Sequence, residues 1–251
     1  MADLVRNPPA SRLWERALDL IFPPRCVSCN SFGAFICDRC LSGMTKAGPP
    51  RCPTCWVPVL PARRGGSRVE GPAEQETECG RCRGGRMAFK GLRSVFVYEG
   101  ASRDAVHAIK FRGLSAVAPR MAALMAERLL EWSPPVQAIV PVPLAGHRRR
   151  QRGYNQSELL AKEASRLSGI PLARRALVRR RGTPPQVRQP DEWARRRNVA
   201  GAFAPGRTVP SGGILLIDDV VTTGATLDAC ARVLISEGSG PVFALTFARE
   251  D

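Results

Sequence analysis

Four Cys-x-x-Cys pairs, Cys26 with Cys29, Cys37 with Cys40, Cys52 with Cys55 and Cys79 with Cys82, constrain this chain more than any other feature. The stretch that holds them, residues 26–82, is rich in Gly and Pro and short of long apolar runs, so it cannot bury a conventional core of its own. Metal can supply the missing folding free energy. A two-residue gap lets two thiolates converge at about 2.3 Å on one Zn²⁺ from a tight knuckle, and eight thiolates in pairs make two tetrahedral sites. Sequential pairing, with the first two pairs on one ion and the last two on another, is the most economical partition and gives a double zinc ribbon. An interleaved partition also fits the spacing. His107 and His147 both lie far from the pairs, so the sites read as closed and structural rather than catalytic. Four pairs also exceed what a redox site uses. The ninth cysteine, Cys230, reads as a small buried residue.

At 251 residues the chain is long enough for one full-sized core plus this appendage. With 44% hydrophobic and 24% charged residues it falls in the globular range, away from disordered or membrane classes. No apolar run approaches the ~18 residues of a membrane helix, and no secretory leader is apparent, so a cytoplasmic location is expected, where thiols stay reduced. The formal charge of +16 attracts polyanions and points to nucleotide or nucleic-acid partners; the bland alternative is a solvated, Arg-loaded surface.

The chain divides into an N-terminal helix within residues 1–24, a zinc-ribbon region over 25–88, and an α/β domain over 89–251. Leu13, Trp14, Ala17, Leu18 and Ile21 recur at helical spacing after a Ser11 cap, and Pro23 and Pro24 end the helix. Residues 60–78 read as a solvated, flexible insertion. Beyond Lys90, strands alternate with helices, the pattern of a largely parallel sheet with helices on both faces. Strands are expected over 92–98, 136–142, 213–217 and 242–248, and helices over 101–109, 119–131, 157–167 and 226–237.

Residues 214–226, Ile-Leu-Leu-Ile-Asp-Asp-Val-Val-Thr-Thr-Gly-Ala-Thr, run from an apolar strand through two carboxylates and a hydroxyl-rich turn into a helix. The strand delivers the loop to the carboxyl end of the sheet, where ligands of open α/β folds sit. Gly224 permits close backbone approach, and Thr222, Thr223 and Thr226 with the amides of the following helix can cradle a phosphate. Adjacent acids beside a phosphate would repel it unless they meet ribose hydroxyls or a divalent cation. No Gly-x-x-x-x-Gly-Lys-Ser/Thr and no Gly-x-Gly-x-x-Gly opening a helix competes with this loop.

The segment resembles the phosphoribosyl pyrophosphate (PRPP) signature of type I phosphoribosyltransferases. That resemblance implies Asp218 and Asp219 as catalytic residues on the ribose 2- and 3-hydroxyls. It implies a 5-phosphate held across Val220, Val221, Thr222, Thr223, Gly224, Ala225 and Thr226, with Mg²⁺ bridging pyrophosphate and ribose. A second segment, 139–156, ends a strand in two prolines and presents four arginines, of which Arg148 and Arg152 are favoured for gripping pyrophosphate bidentately. A third, residues 180–203, is polar and Pro-containing and reads as a mobile lid carrying Arg181, Gln186, Arg197 and Asn198. Lys110 is a pyrophosphate or lid contact, or else a solvated lysine.

Taken together, these segments resemble the ComF family, competence-associated proteins that join a zinc ribbon to a type I phosphoribosyltransferase-like domain. The resemblance runs over nearly the whole chain. It rests on the Leu-Asp-Leu-Ile-Phe-Pro-Pro-Arg-Cys opening, Ile109-Lys-Phe-Arg-Gly113, Val140-Pro-Val-Pro-Leu144, Arg152-Gly-Tyr-Asn-Gln156, Arg197-Asn-Val-Ala-Gly-Ala-Phe203 and the loop itself, with the 60–78 insertion as the chief departure. It implies a cytoplasmic role in DNA uptake, with PRPP as ligand, single-stranded DNA as partner and competence-machinery proteins as further partners. The competing readings are an active transferase on an unidentified nitrogen acceptor and a PRPP-sensing regulator without turnover.

Overall fold

A computed structural model of the chain describes residues 23–59, 78–85, 87–180 and 201–251. The expected N-terminal helix over 11–22, nearly all of the 60–78 insertion and the lid positions Arg181, Gln186, Arg197 and Asn198 lie outside the described residues. In chain order the elements are α1 (Asp38–Ser42), β1 (Gly91–Val97), α2 (Gly100–Phe111), α3 (Ala118–Trp132), β2 (Ala138–Pro141), α4 (Gly146–Arg152), α5 (Gln156–Ser168), β3 (Leu177–Arg179), β4 (Phe203–Pro205), β5 (Ile214–Val221), α6 (Ala225–Ser236) and β6 (Val242–Arg249).

The main sheet is four-stranded and parallel in the order β1-β6-β5-β2. Its central strand explains the unbroken apolar run Ile214-Leu-Leu-Ile217, because a parallel strand covered on both faces has no polar side. Leu215 and Ile217 pack with Val106, Ile109, Met125 and Leu160 of α2, α3 and α5. Ile214 and Leu216 pack on the opposite face with Leu227, Cys230 and Leu234 of α6. Cys230 is accordingly a fully buried filler. Beyond β2, residues 171–173 add an edge: Ile139 N–H donates to Pro171 O at 2.8 Å, and Ala173 N–H to Ile139 O at 2.8 Å.

Three local outcomes differ from the sequence expectation. β5 extends past Ile217 to Val221, since its pairing with β6 continues through Val220 opposite Ala248 and Val221 opposite Arg249. The two acids therefore sit within the strand. The arginine cluster is helical, as α4, although Gly-His-Arg-Arg-Arg-Gln-Arg carries no apolar periodicity to announce it. β3 and β4 pair antiparallel, so the two ends of the lid segment are tied into one small ribbon.

The cysteine-rich region leans on the α/β domain, as its want of a core requires. Val27, Ile36 and Met44 share the α2/α3/α5 core, while Ala47, Trp56 and Cys82 share the α6 side. Residues 45–47 line the open edge of β1, with Ala47 N–H donating to Val95 O and Val97 N–H to Thr45 O, both at 2.9 Å. The Arg93 guanidinium lies between two indoles, 4.0 Å from the Trp56 centroid and 4.9 Å from that of Trp132. Arg249, 2% exposed, donates to Cys55 O at 2.6 Å and to Asp251 at 2.9 Å, and Asp251 also receives both terminal nitrogens of Arg51 at 2.7 and 2.6 Å.

Candidate functional site

The eight paired cysteines form two clusters, Cys26-Cys29-Cys37-Cys40 and Cys52-Cys55-Cys79-Cys82, which settles the partition as sequential. Within each cluster all four sulfurs lie within 4.8 Å of one another. The sulfurs of Cys29 and Cys37 are 3.6 Å apart and those of Cys55 and Cys79 are 3.5 Å apart, against the roughly 3.8 Å edge of a tetrahedron with ~2.3 Å zinc–sulfur bonds. The two Cys₄ sites thus fit two structural zinc ions. Their acidity has the same cause. The Ser31 hydroxyl, with help from neighbouring thiols, draws Cys29 down to about 6, while burial and crowding push Cys40 up to about 12. In the other cluster the Cys82 thiol draws Cys55 down to about 5. Four close sulfurs cannot all ionise unaided, and a dication removes the conflict.

The second site gathers at the carboxyl end of β5. Asp218 Oδ1 accepts from the Ser157 hydroxyl at 2.7 Å and from the Asp219 amide at 2.9 Å. Asp219 is buried; its Oδ1 stands 3.0 Å from the Lys110 ammonium, and its Oδ2 has no hydrogen-bond partner. Ser157 is placed for its task by Asn155, which caps α5: Asn155 Oδ1 accepts from the Ser157 amide at 3.2 Å while Nδ2 donates to Val142 O at 3.0 Å. Burial first, and Asp219 second, push the Asp218 carboxyl up to about 7 against the opposing pull of Lys110 and Ser157.

These acids open into a cavity of about 270 Å³. Its wall carries the cations Lys110, Arg148, Arg152 and Arg179 against the two carboxylates, so the cavity is net positive and suited to a multiply charged anion. Arg148 and Arg152 reach it from α4, which ends at Gly153 in the left-handed region. Arg152 donates to Gln156 Oε1 at 3.1 Å. Burial pulls the guanidinium pKa of both Arg152 and Arg179 below the ordinary arginine value, the mark of groups drawn in from solvent.

Of the residues expected to hold a 5-phosphate, Val220 and Thr226 face this cavity with the two acids. Val221 turns into the sheet opposite Arg249. Thr222, Thr223 and Gly224 form the turn into α6, whose first residue, Ala225, donates its amide to Thr223 Oγ1 at 3.3 Å. Gly224 has φ +80°, and an added Cβ would meet the Phe89 ring at 3.6 Å, so glycine is required there by conformation. Lys110, read from sequence as a phosphate, lid or solvent contact, has its ammonium on Asp219. Two participants had no sequence signal pointing to them, Ser157 and Arg179; Phe111 stood within the Ile109-Lys-Phe-Arg-Gly113 motif without a role assigned to it. A phosphate-site search over the second segment could have reached Ser157, which follows Gln156 directly.

Residues 17–83 match the double zinc ribbon domain family. The chain is 31% identical over 212 residues to the DNA utilization protein YhgH of Salmonella typhimurium, covering 82% of this chain and 87% of the relative. It is 26% identical over 212 residues to the competence protein ComFC of Bacillus subtilis, covering 81% of this chain and 79% of that protein. Among solved structures, a purine phosphoribosyltransferase from Pyrococcus horikoshii aligns over 52% of this chain and 80% of its own, at 16% identity and a TM-score of 0.32. Among the described residues no helix is long and apolar enough to cross a membrane.

Proposed function

This chain belongs to the ComF family, and on that premise we propose that the β5 cavity binds PRPP and that the protein serves DNA uptake by contacting single-stranded DNA in the cytoplasm. The carrying observation is the acidic pair: Asp218 and Asp219 adjoin a helix N-terminus and share one cavity with four cations. A ribose 5-phosphate supplies a matching set of groups. Its hydroxyls can donate to the carboxylates, and its phosphate accepts from the Thr222 to Thr226 turn and the first amides of α6. Arg148 and Arg152 grip the pyrophosphate, whose charge needs fixed cations at a partly desolvated site.

Mg²⁺ suits the same donors, because the buried and unpartnered Oδ2 of Asp219 is a hard oxygen of the kind that ion takes. When bound with PRPP it would neutralise pyrophosphate charge. Lys110 holds Asp219 in place and Ser157 orients Asp218, so the carboxylates are set before ligand arrives.

The DNA part of the reading is supported by the +16 charge and by what the relatives' names say of those proteins, DNA utilization and competence. Competence-machinery proteins are the expected further partners.

Calorimetric titration of PRPP with Mg²⁺ against the wild type and Asp218→Ala/Asp219→Ala tests the cavity. Binding lost in the double variant is expected; unchanged affinity overturns the assignment. Single-stranded DNA affinity should fall steeply as salt rises, and a flat, weak response removes the DNA reading.

A further inference from the structure

Phe111 is 68% exposed, an unusual placement for a phenylalanine at the rim of a polar cavity. Single exposed apolar residues are common and need no cause. Phe111 differs because it lines the same cavity as Asp218 and Asp219 and follows directly on Lys110, whose ammonium contacts Asp219. Successive helical residues point about 100° apart. Lys110 therefore turns inward to the acids while Phe111 stands at the mouth.

The ring is also held. His107, one turn earlier on α2, meets it edge-on with centroids 5.3 Å apart, and the Arg152 guanidinium lies 5.2 Å from its centroid. Tyr98 continues the aromatic row, 6.4 Å from His107. A steadied ring beside a cationic, phosphate-suited cavity is the arrangement that takes a flat heteroaromatic group by stacking, with an arginine plane adding to the platform.

We infer that Phe111 is the platform on which the base of a nucleotide stacks while that nucleotide's ribose phosphate occupies the β5 cavity. The inference rests on the phosphoribosyl reading and adds to it a base-bearing ligand class and the residue that recognises the base. The ligand is a free nucleoside 5′-monophosphate, whose ribose keeps both hydroxyls for Asp218 and Asp219.

The test titrates the full-length, zinc-loaded protein with ribose 5-phosphate and with AMP, as wild type, Phe111→Ala and Phe111→Trp. AMP should bind the wild type roughly tenfold more tightly than ribose 5-phosphate, the scale of one base–aromatic stack. Phe111→Ala should erase that difference while leaving ribose 5-phosphate affinity within about twofold. Phe111→Trp should preserve it, with tryptophan emission quenched by AMP and not by ribose 5-phosphate. Equal wild-type affinities for the two ligands, or equal losses in Phe111→Ala, overturn the inference while sparing the phosphoribosyl reading. Failure of ribose 5-phosphate and PRPP alike to bind the wild type overturns both.

Discussion

The guanidinium of Arg81 donates a 3.3 Å hydrogen bond to the main-chain carbonyl of Thr223. Arg81 lies between Cys79 and Cys82, so this bond runs from the knuckle of the second Cys₄ site to the turn between β5 and α6. Neighbouring contacts run the same way. The Ala88 amide donates to Asp228 Oδ1 in the first turn of α6 at 2.6 Å, and Phe89 and Met87 close over Gly224. The loop is shaped from two sides, by its own strand and by the ribbon.

Arg81→Ala should therefore weaken PRPP binding by about threefold, the scale of one net hydrogen bond, with two zinc equivalents per chain retained. Titration beside metal analysis checks it. Lost zinc would mean that Arg81 serves the knuckle rather than the loop.

Removing metal should reach further than the ribbon. Val27, Ile36 and Met44 are packed into the core of the α/β domain, and the ribbon gains its folding free energy from the ions. A strong chelator should lower the melting temperature of the whole chain and expose thiols, and added Zn²⁺ rather than Mg²⁺ should restore both. Metal analysis before chelation should give two equivalents.

Asp218 predicts a pH dependence. Its folded value, pushed up to about 7, lies above the ordinary carboxylate value of about 3.9. The folded state then holds its proton more tightly than the unfolded state, so stability is highest below pH 4 as far as this group is concerned. It declines as pH rises from there through 7 and levels off above. Asp218→Asn, which keeps an oxygen for the Ser157 hydroxyl and the Asp219 amide, should lose this slope. Denaturant midpoints of unliganded protein at pH 5.5 and 8 should draw apart for the wild type more than for the variant.

How much of this could be read from the sequence depended on the range over which each signal acts. The zinc ligands and the loop are local, written in two-residue gaps and in one run from Ile214 to Thr226; the cysteines cluster as expected, while the strand of the run carries on to Val221. The sheet strands were legible because a doubly covered strand is an apolar run. α4 escaped notice because its seven residues include no apolar side chain. Ser157 escaped because its partner Asp218 is 61 residues away, and nothing local distinguishes it from a serine that only starts a helix. Residues 45–47 on the β1 edge and the Arg249–Asp251–Arg51 chain are likewise tertiary, made only when the ribbon docks.

The Lys110–Asp219 pair offers the sharpest separation of structure from binding. Both side chains are largely withdrawn from water, at 17% and 3% exposure, and the ion pair spans 3.0 Å. Removing one partner leaves the other charge buried and uncompensated, which costs about 3–5 kcal/mol, whereas removing both takes away the charges together. Lys110→Met and Asp219→Asn should each destabilise the unliganded protein, and the double variant should be more stable than their summed effects predict by at least about 1 kcal/mol. Strict additivity in the cycle would mean that the two groups do not compensate each other's charge, and that Lys110 is free to serve the ligand instead.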